Sequence, residues 1–402
     1  VLPLALGGVL RTELVYLSRD RNIPAAFRSA VSLHSHTCHS RESLSFVAAI
    51  LRKKRLVREW LERRESHCKL ATGLVMDLNH GYWTPPLDGP LALSLEQRQI
   101  ELIGLRPVVS LSDHDNIEAA LELRAVPETA DVPVSVEWTA PFGQSKFHIG
   151  VHNLPGAHAL QWMERLRACT AKREDRAVLE MLGELHSLPS VLIVLNHPLW
   201  NLYALPAEVF QAELDRLLRD AGMFLHALEL NGLRGREENQ HVADLAARWN
   251  QVLISGGDRH ACEPNANLNL TRAEDFEEFI SEIRNERRST VLFMPQYEEA
   301  MPLRLYQNFL DIIREYPEFS EGRRKWDERT YHPSQAGEIV PLCKLWPNDT
   351  PSFFRKLFGV LSWTERRSVR DTMQRIFPGD RNQLFLGPEH TAATELSPAW
   401  YD

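Results

Sequence analysis

The sequence predicts an α/β fold whose parallel strands close into a βα barrel, and three observations carry that prediction. Seven short apolar runs rich in Val, Ile and Leu recur between Ala30 and Gly256. Stretches with helical periodicity separate several of them. The runs also end in polar residues of the kinds that bind metals and phosphates.

The runs are AVSL before His34, PVVSLS before Asp113, PVSV before Glu137, KFHIGV around His148, VLIVL before Asn196, HALEL before Asn231, and QVLIS before Gly256. Unbroken apolar runs of this length suit strands buried on both faces. Helical patterns follow Asn116, Pro155 and Pro206, and another spans Glu237 to Trp249. In a parallel barrel, polar residues that follow their strands gather at the C-terminal mouth, where such barrels carry their chemistry. A doubly wound sheet would use one switch point and a Gly-rich first turn. No G-x-G-x-x-G, phosphate-loop or G-x-S-x-G motif occurs here.

The expected organisation is a leader over residues 1–27, a barrel over 28–294 with an insertion at about 44–106, and a mainly helical extension over 295–402. The insertion holds a basic helix candidate (LRKKRLVREWLERRESH), a turn region (GYWTPPLDGP) and a second helix candidate (LSLEQRQIELIG). The extension is rich in aromatics and Pro, including SFFRKLFGVLSWTERRSVRDTMQRIF, and is read as packing on the barrel.

A net charge of −8 removes the overall basic field that would capture nucleic acid nonspecifically, so nucleic acid is expected only as a substrate. Five scattered cysteines with no C-x-x-C pair argue against a disulfide framework and fit a reducing compartment. The opening VLPLALGGVL is too short to span a bilayer, and it lacks a basic leader and a starting Met. The expectation is a soluble, cytoplasmic protein with no membrane partner; a removed signal segment is compatible with it.

Histidine is the unusual feature: sixteen are present, and many lie beside another His, an Asp or an Asn at the end of an apolar run. His34 and His36 stand two apart at a strand end, which by strand periodicity puts both on one face. Asp258 and His260 repeat the spacing at the last strand, and His148 and His152 share a face of the fourth run. Neutral imidazole with carboxylate suits zinc, manganese or iron better than magnesium or calcium.

Taken in order, HSHT (His34–Thr37), SDHD (Ser112–Asp115), VEWT (Val136–Thr139), FHIG (Phe147–Gly150), NHP (Asn196–Pro198), ELNG (Glu229–Gly232) and GGDRH (Gly256–His260) form one pattern. In it the chain resembles the PHP (polymerase and histidinol phosphatase) superfamily of metal-dependent phosphoesterases. The resemblance implies a distorted (βα)7 TIM-like barrel. It implies that His34, His36, Glu137 and Asp258 hold one metal, with Glu137 bridging to a second held by His148 and His197. His114 and His260 would serve a third metal or the substrate phosphate. Two or three divalent ions (Zn, Mn or Fe) are therefore expected, with Glu137, Asp258 and His114 central to catalysis.

One departure stands out. Relatives often read H-x-H-T-x-x-S-D-G, whereas Arg41 stands here where that Asp is often found. Glu42 is the expected replacement, with His39 as the fallback and an exposed Arg41–Glu42 pair as the alternative; Arg41 should point away from the metals. Asp113 and Asp115 are read as orienting residues or helix caps, and Arg234, Arg236 and Arg259 as candidate phosphate ligands. The expected activity is hydrolysis of a phosphoester, with a small phosphomonoester or nucleotide favoured. The alternatives are amidohydrolase-like C–N cleavage, oligonucleotide exonuclease activity and a non-catalytic metal-stabilised scaffold.

Overall fold

The apolar runs become strands because each can bury both faces. The computed structural model describes residues 11–44, 80–334 and 336–345 continuously, with isolated positions between 59 and 70 and between 356 and 376. The basic helix candidate at 51–67 and the aromatic stretch at 352–377 lie largely outside the described residues.

In chain order the strands are β1 (Arg11–Tyr16), β2 (Ser29–Leu33), β3 (Glu42–Ser43), β4 (Tyr82–Trp83), β5 (Arg106–Ser110), β6 (Val134–Phe142), β7 (Ser145–Leu154), β8 (Leu192–Leu195), β9 (Ala227–Asn231), β10 (Val252–Gly256), β11 (Asn267–Thr271), β12 (Arg288–Phe293), β13 (Thr330–Pro333) and β14 (Ile339–Pro341). The helices are α1 (Gly89–Glu101), α2 (Glu118–Arg124), α3 (Ala159–Lys172), α4 (Asp175–His186), α5 (Ala207–Ala221), α6 (Arg236–Trp249), α7 (Phe276–Arg284) and α8 (Met301–Ile313). The long helical pattern after Pro155 breaks into α3 and α4 at Arg173, whose φ of 54° is left-handed.

All seven runs form strands, but among the described residues a closed barrel does not result. The strands make two five-stranded sheets, β1-β12-β11-β2-β5 and β10-β9-β8-β7-β6, and a four-stranded sheet, β14-β13-β4-β3. The two large sheets meet at parallel single bridges, Ser35 with Arg259 and His114 with Glu137. The fourth run, β7, is antiparallel to both β6 and β8, because residues Gly143 and Gln144 turn the chain straight back from β6. Residues assigned to a leader form β1, which pairs in parallel with β12. The C-terminal region contributes two strands as well as α8, and β13 pairs with β4 of the insertion.

The reason for the open seam lies in β11, which lies antiparallel between β2 and β12. Its buried asparagines alternate with leucines, and each amide satisfies backbone or side chains of a neighbouring strand. Asn267 Nδ2 donates to Leu230 O at 2.7 Å. Asn269 accepts from Ser255 N at 2.7 Å and donates to Ser255 O at 3.0 Å. A side-chain amide thus occupies the hydrogen-bonding edge of β10 that a barrel would use for a ladder.

Alternation assigns the two faces of the strands. Val31, Leu33, Leu192, Val194, Val252 and Ile254 face inward and pack with Phe276, Phe279, Ile280 and Ile283 of α7. Ile193, Leu195, Leu228 and Leu230 face the outer helices α3 to α6. Among the described residues no helix is long and apolar enough to cross a membrane. Replacing Asn269 with Ala strips buried Ser255 of its amide partners, so the chain should lose about 1–3 kcal/mol of stability. Urea denaturation with an unchanged midpoint would contradict that account of the seam.

Candidate metal centre

The predicted ligands sit where strands end or where segments are tied laterally by backbone bonds. His36 N donates to Arg259 O at 2.8 Å, Ser112 N to Ser35 O at 3.0 Å, Glu137 N to Asp113 O at 3.1 Å, and Asn196 N to His148 O at 3.0 Å. Strand periodicity does not explain His34, because β2 stops at Leu33 and His34 has φ 62°. Asp258 (φ 50°) and His197 (φ 26°) also lie in the left-handed region. Such conformations are uncommon for residues with a Cβ and persist where surrounding contacts over-determine them.

These turns bring the imidazoles onto Glu137, which is completely buried within β6. Its Oε1 lies 3.0 Å from His34 Nε2, 3.2 Å from His148 Nδ1 and 3.1 Å from His197 Nε2. Its Oε2 lies 2.9 Å from His114 Nδ1 and 3.5 Å from His36 Nε2. Asp258 Oδ1 is 3.5 Å from His34 Nε2 and 3.6 Å from both His36 Nε2 and His260 Nδ1. Beside this, Glu42 Oε2 stands 3.3 Å from His114 Nε2 and 3.4 Å from His260 Nε2.

Three overlapping donor groups follow: His34, His36 and Glu137; His114, Glu137 and His148; and His36, Glu42, His114 and His260. His114 and His36 are therefore shared more widely than the resemblance implies. Arg41 is exposed over the Tyr82 ring at 5.1 Å. His39 turns to Glu118 and Glu122 on α2, at 3.0 and 3.2 Å. His152 is buried against Ser110 Oγ at 2.8 Å, and burial pushes it down to about 3.

Several supports were not singled out in the sequence. Glu229 of β9 accepts from His34 Nδ1 at 2.6 Å, His197 N at 2.7 Å and Asn231 Nδ2 at 3.0 Å, which fixes the ring that faces Glu137. A Cβ on Gly256 would lie 1.6 Å from Glu229 Oε1, so the double glycine of GGDRH is what lets Glu229 approach. Glu96 of α1 is buried among Ser32, Ser35, Asn265 and Arg259. The signal for Glu229 was present in ELNG; Glu96, in an ordinary helical pattern, gave none.

The arginines and aspartates divide. Arg259 is buried and paired with Glu96 at 2.9 Å, so it does not face a ligand. Arg234 stacks on Trp200 at 3.9 Å and reaches within 3.9 Å of Asp258. Arg236 is the half-buried first residue of α6. Asp113 accepts from Thr37 N and Oγ1 at 2.5 and 2.7 Å, and Asp115 from Thr139 N at 2.9 Å. Neither caps a helix; the N-cap of α2 is Ile117.

Burial disfavours charge on Glu137, yet His34, His114 and His148 hold its carboxyl well below the usual range. Glu42 is likewise held low, against burial, by His114 and His260. Burial and the neighbouring His260 push His36 down to about 3, whereas Glu42 raises His260 to about 9 despite burial. Among the described residues His34 Nε2, His36 Nε2, Glu137 Oε2 and His148 Nδ1 are buried with no hydrogen-bond partner, although they converge. Two ligands about 2.1 Å from one tetrahedral ion stand about 3.4 Å apart. The contacts of 2.9–3.6 Å that join the imidazoles to Glu137 and Asp258 fit that separation. The donor set and spacing fit divalent cations better than a hydrogen-bond network.

No protein-family model matches the sequence, and no curated protein does. Similar solved structures include an amidohydrolase from Chromobacterium violaceum with bound sulfate and no metal, at 13% identity and TM-score 0.31 over 44% of this chain and 84% of that one. A protein provisionally described as a metal-dependent phosphoesterase from Bifidobacterium adolescentis is 17% identical, at TM-score 0.31 over 50% and 91%. PsfC from Pseudomonas syringae is 15% identical, at TM-score 0.33 over 71% and 97%. Likeness at this level carries no argument about fold or chemistry, which rest on the side chains described above.

At neutral pH without a cation, raised pKa values keep His34, His114 and His260 protonated. A cation must displace those protons, so binding should release protons and tighten as pH rises from 6 to 8. Calorimetric zinc titrations in two buffers of different ionisation enthalpy should give different heats; identical heats would contradict the protonated state.

Proposed function

We propose that this chain is a metal-dependent phosphoesterase of the PHP type that hydrolyses a small phosphomonoester or nucleotide. The observation that carries the reading is the buried Glu137 carboxylate, with three imidazole nitrogens at one oxygen and two at the other. A carboxylate so placed suits a bridge between two cations. His34, His36 and Asp258 would flank one side, and His148 and His197 the other. Glu42 with His114 and His260 would hold a third, since His36 Nε2 is committed to the first and its Nδ1 faces Ser40 Oγ. Zinc, manganese and iron are the candidates for this nitrogen and oxygen set. Such ions supply Lewis-acid chemistry, lowering the pKa of water and neutralising charge on phosphoryl oxygens.

The chain's own groups do the rest. Glu229 holds His34 in its ring orientation through Nδ1. Asp113 ties down the Thr37 turn that carries His36, and Asp115 ties β6 beside Glu137. Arg234, stacked on Trp200 beside Asp258, offers a planar donor fork to phosphoryl oxygens. A cavity of about 320 Å³ is lined by Asp115, Lys146, Arg167, Thr170, Ala171 and Arg173. Asp115 follows the donor His114, and Lys146 stands two before His148 on β7. Its three cations suit the rest of an anionic substrate in a chain of net charge −8. The cysteines Cys38, Cys169, Cys262 and Cys343 are free, which accords with a cytoplasmic protein.

Phosphoester and amide panels with added zinc or manganese test the reading; turnover of amides alone would replace it with C–N hydrolysis. Glu137→Gln should lower phosphoester turnover by about 100-fold or more and reduce bound metal, since a neutral amide cannot offset two cations. Near-normal turnover at saturating metal would remove Glu137 from its bridging place. Arg234→Lys should raise KM about tenfold with a smaller change in kcat, because a point charge cannot reproduce the fork. An unchanged KM would assign Arg234 to packing on Trp200.

A further inference from the structure

Among the donors named above, Glu42 is the one that does not lie in or just after a strand of the seven-strand framework. Glu42 lies on β3, which is two residues long and among the described residues pairs with the equally short β4, Glu42 opposite Trp83 and Ser43 opposite Tyr82. A ribbon of that length cannot hold a register alone, since three or more strands are needed for independent stability. The remaining strands come from the C-terminal region. β13 pairs with β4, Thr330 opposite Trp83 and Tyr331 opposite Tyr82, and β14 pairs with β13. Thr84 N donates to Arg329 O at 2.9 Å, which extends the same pairing.

Residues directly opposite one another share a face. Glu42, Trp83 and Thr330 therefore stand on one face, and the Trp83 ring lies 5.9 Å from the His260 ring. Ser43, Tyr82 and Tyr331 stand on the other, where the Tyr82 and Tyr331 rings stack at 4.8 Å and Arg41 lies over Tyr82. The C-terminal region also reaches the turn between His36 and Glu42 directly, through Arg323 on Cys38 Sγ at 3.3 Å.

We infer that β13 is a positioning element for the metal centre: its pairing with β4, locked by the Tyr82–Tyr331 stack, sets Glu42 against His114 and His260. The cation of that group, but not those at Glu137, then depends on residues beyond 294. The inference rests on the reading that the Glu42 group takes a cation. Its rival is local: Ser40 Oγ donates to Glu42 Oε1 at 2.7 Å and could fix the carboxylate without the sheet.

The experiment uses the full chain and counts bound zinc by elemental analysis across a range of free zinc, with circular dichroism as the check on folding. Tyr331→Pro removes a strand donor on the face away from Glu42. It should weaken one cation by about 10–100-fold, the cost usual when a ligand loses its support, and leave the others. Tyr331→Phe, which keeps the stack, should bind as wild type. Glu42→Gln should weaken the same cation, and the double variant should show no further loss. Should Tyr331→Pro fail to fold, Tyr331→Ala takes its place, with about tenfold weakening expected. Wild-type affinity in the folded variant, or losses that add to those of Glu42→Gln, would overturn the inference and favour Ser40. A wild-type chain that binds cations only at Glu137 would overturn it too, leaving the two-cation reading intact. Wild type with no bound zinc would overturn the metal reading itself.

Discussion

Glu137 is a carboxylate with no exposed surface, and an ion in that position must be compensated from within the protein. Much of the architecture around it follows from that constraint. Five imidazole nitrogens close on its two oxygens, and carboxylates at Glu229 and Asp258 in turn orient or balance those imidazoles. The helix α1 joins the arrangement through Glu96, which anchors Arg259 and the serines flanking His34. Removing one member would leave its partners as uncompensated charges, so the centre behaves as a unit rather than as a sum of contacts.

The sheets explain how ligands from distant parts of the chain meet. In a uniformly parallel barrel His148 would follow its strand; here it lies inside β7, which runs opposite to its neighbours. The hairpin places Thr139 across from His148 and Gly150 across from Glu137, so donor and bridge sit on adjacent strands two pairs apart and on the same face. A Cβ at Gly150 would come within 2.8 Å of Asn196 Oδ1, and Asn196 also donates to Glu137. At the opposite seam the asparagines of β11 let a second sheet dock without a ladder.

Strands with continuous apolar character were legible because burial on both faces leaves a compositional mark. All seven, from the run at Ala30 to the one at Ser255, are strands in the structure. The histidines and carboxylates beside them were legible because their types are costly to place there without purpose. β11 was not, since its asparagines mimic a loop, although their strict alternation with leucine is a period-two signal. Parallel closure was inferred from order alone, which cannot report direction, and β7 reverses. Arg259 shows the same limit: sequence places a residue after a strand but does not say that Glu96, far off in the chain, pairs with it.

His34, His197 and Asp258 adopt backbone angles in which asparagine or glycine would rest more easily. Each such residue costs on the order of 1 kcal/mol. Asn or Gly would relieve that strain, but each single change would also leave a buried partner uncompensated, at a cost of about 3–5 kcal/mol. The backbone strain is therefore held in place by the charges it brings together, and no one of the three positions relaxes without the others.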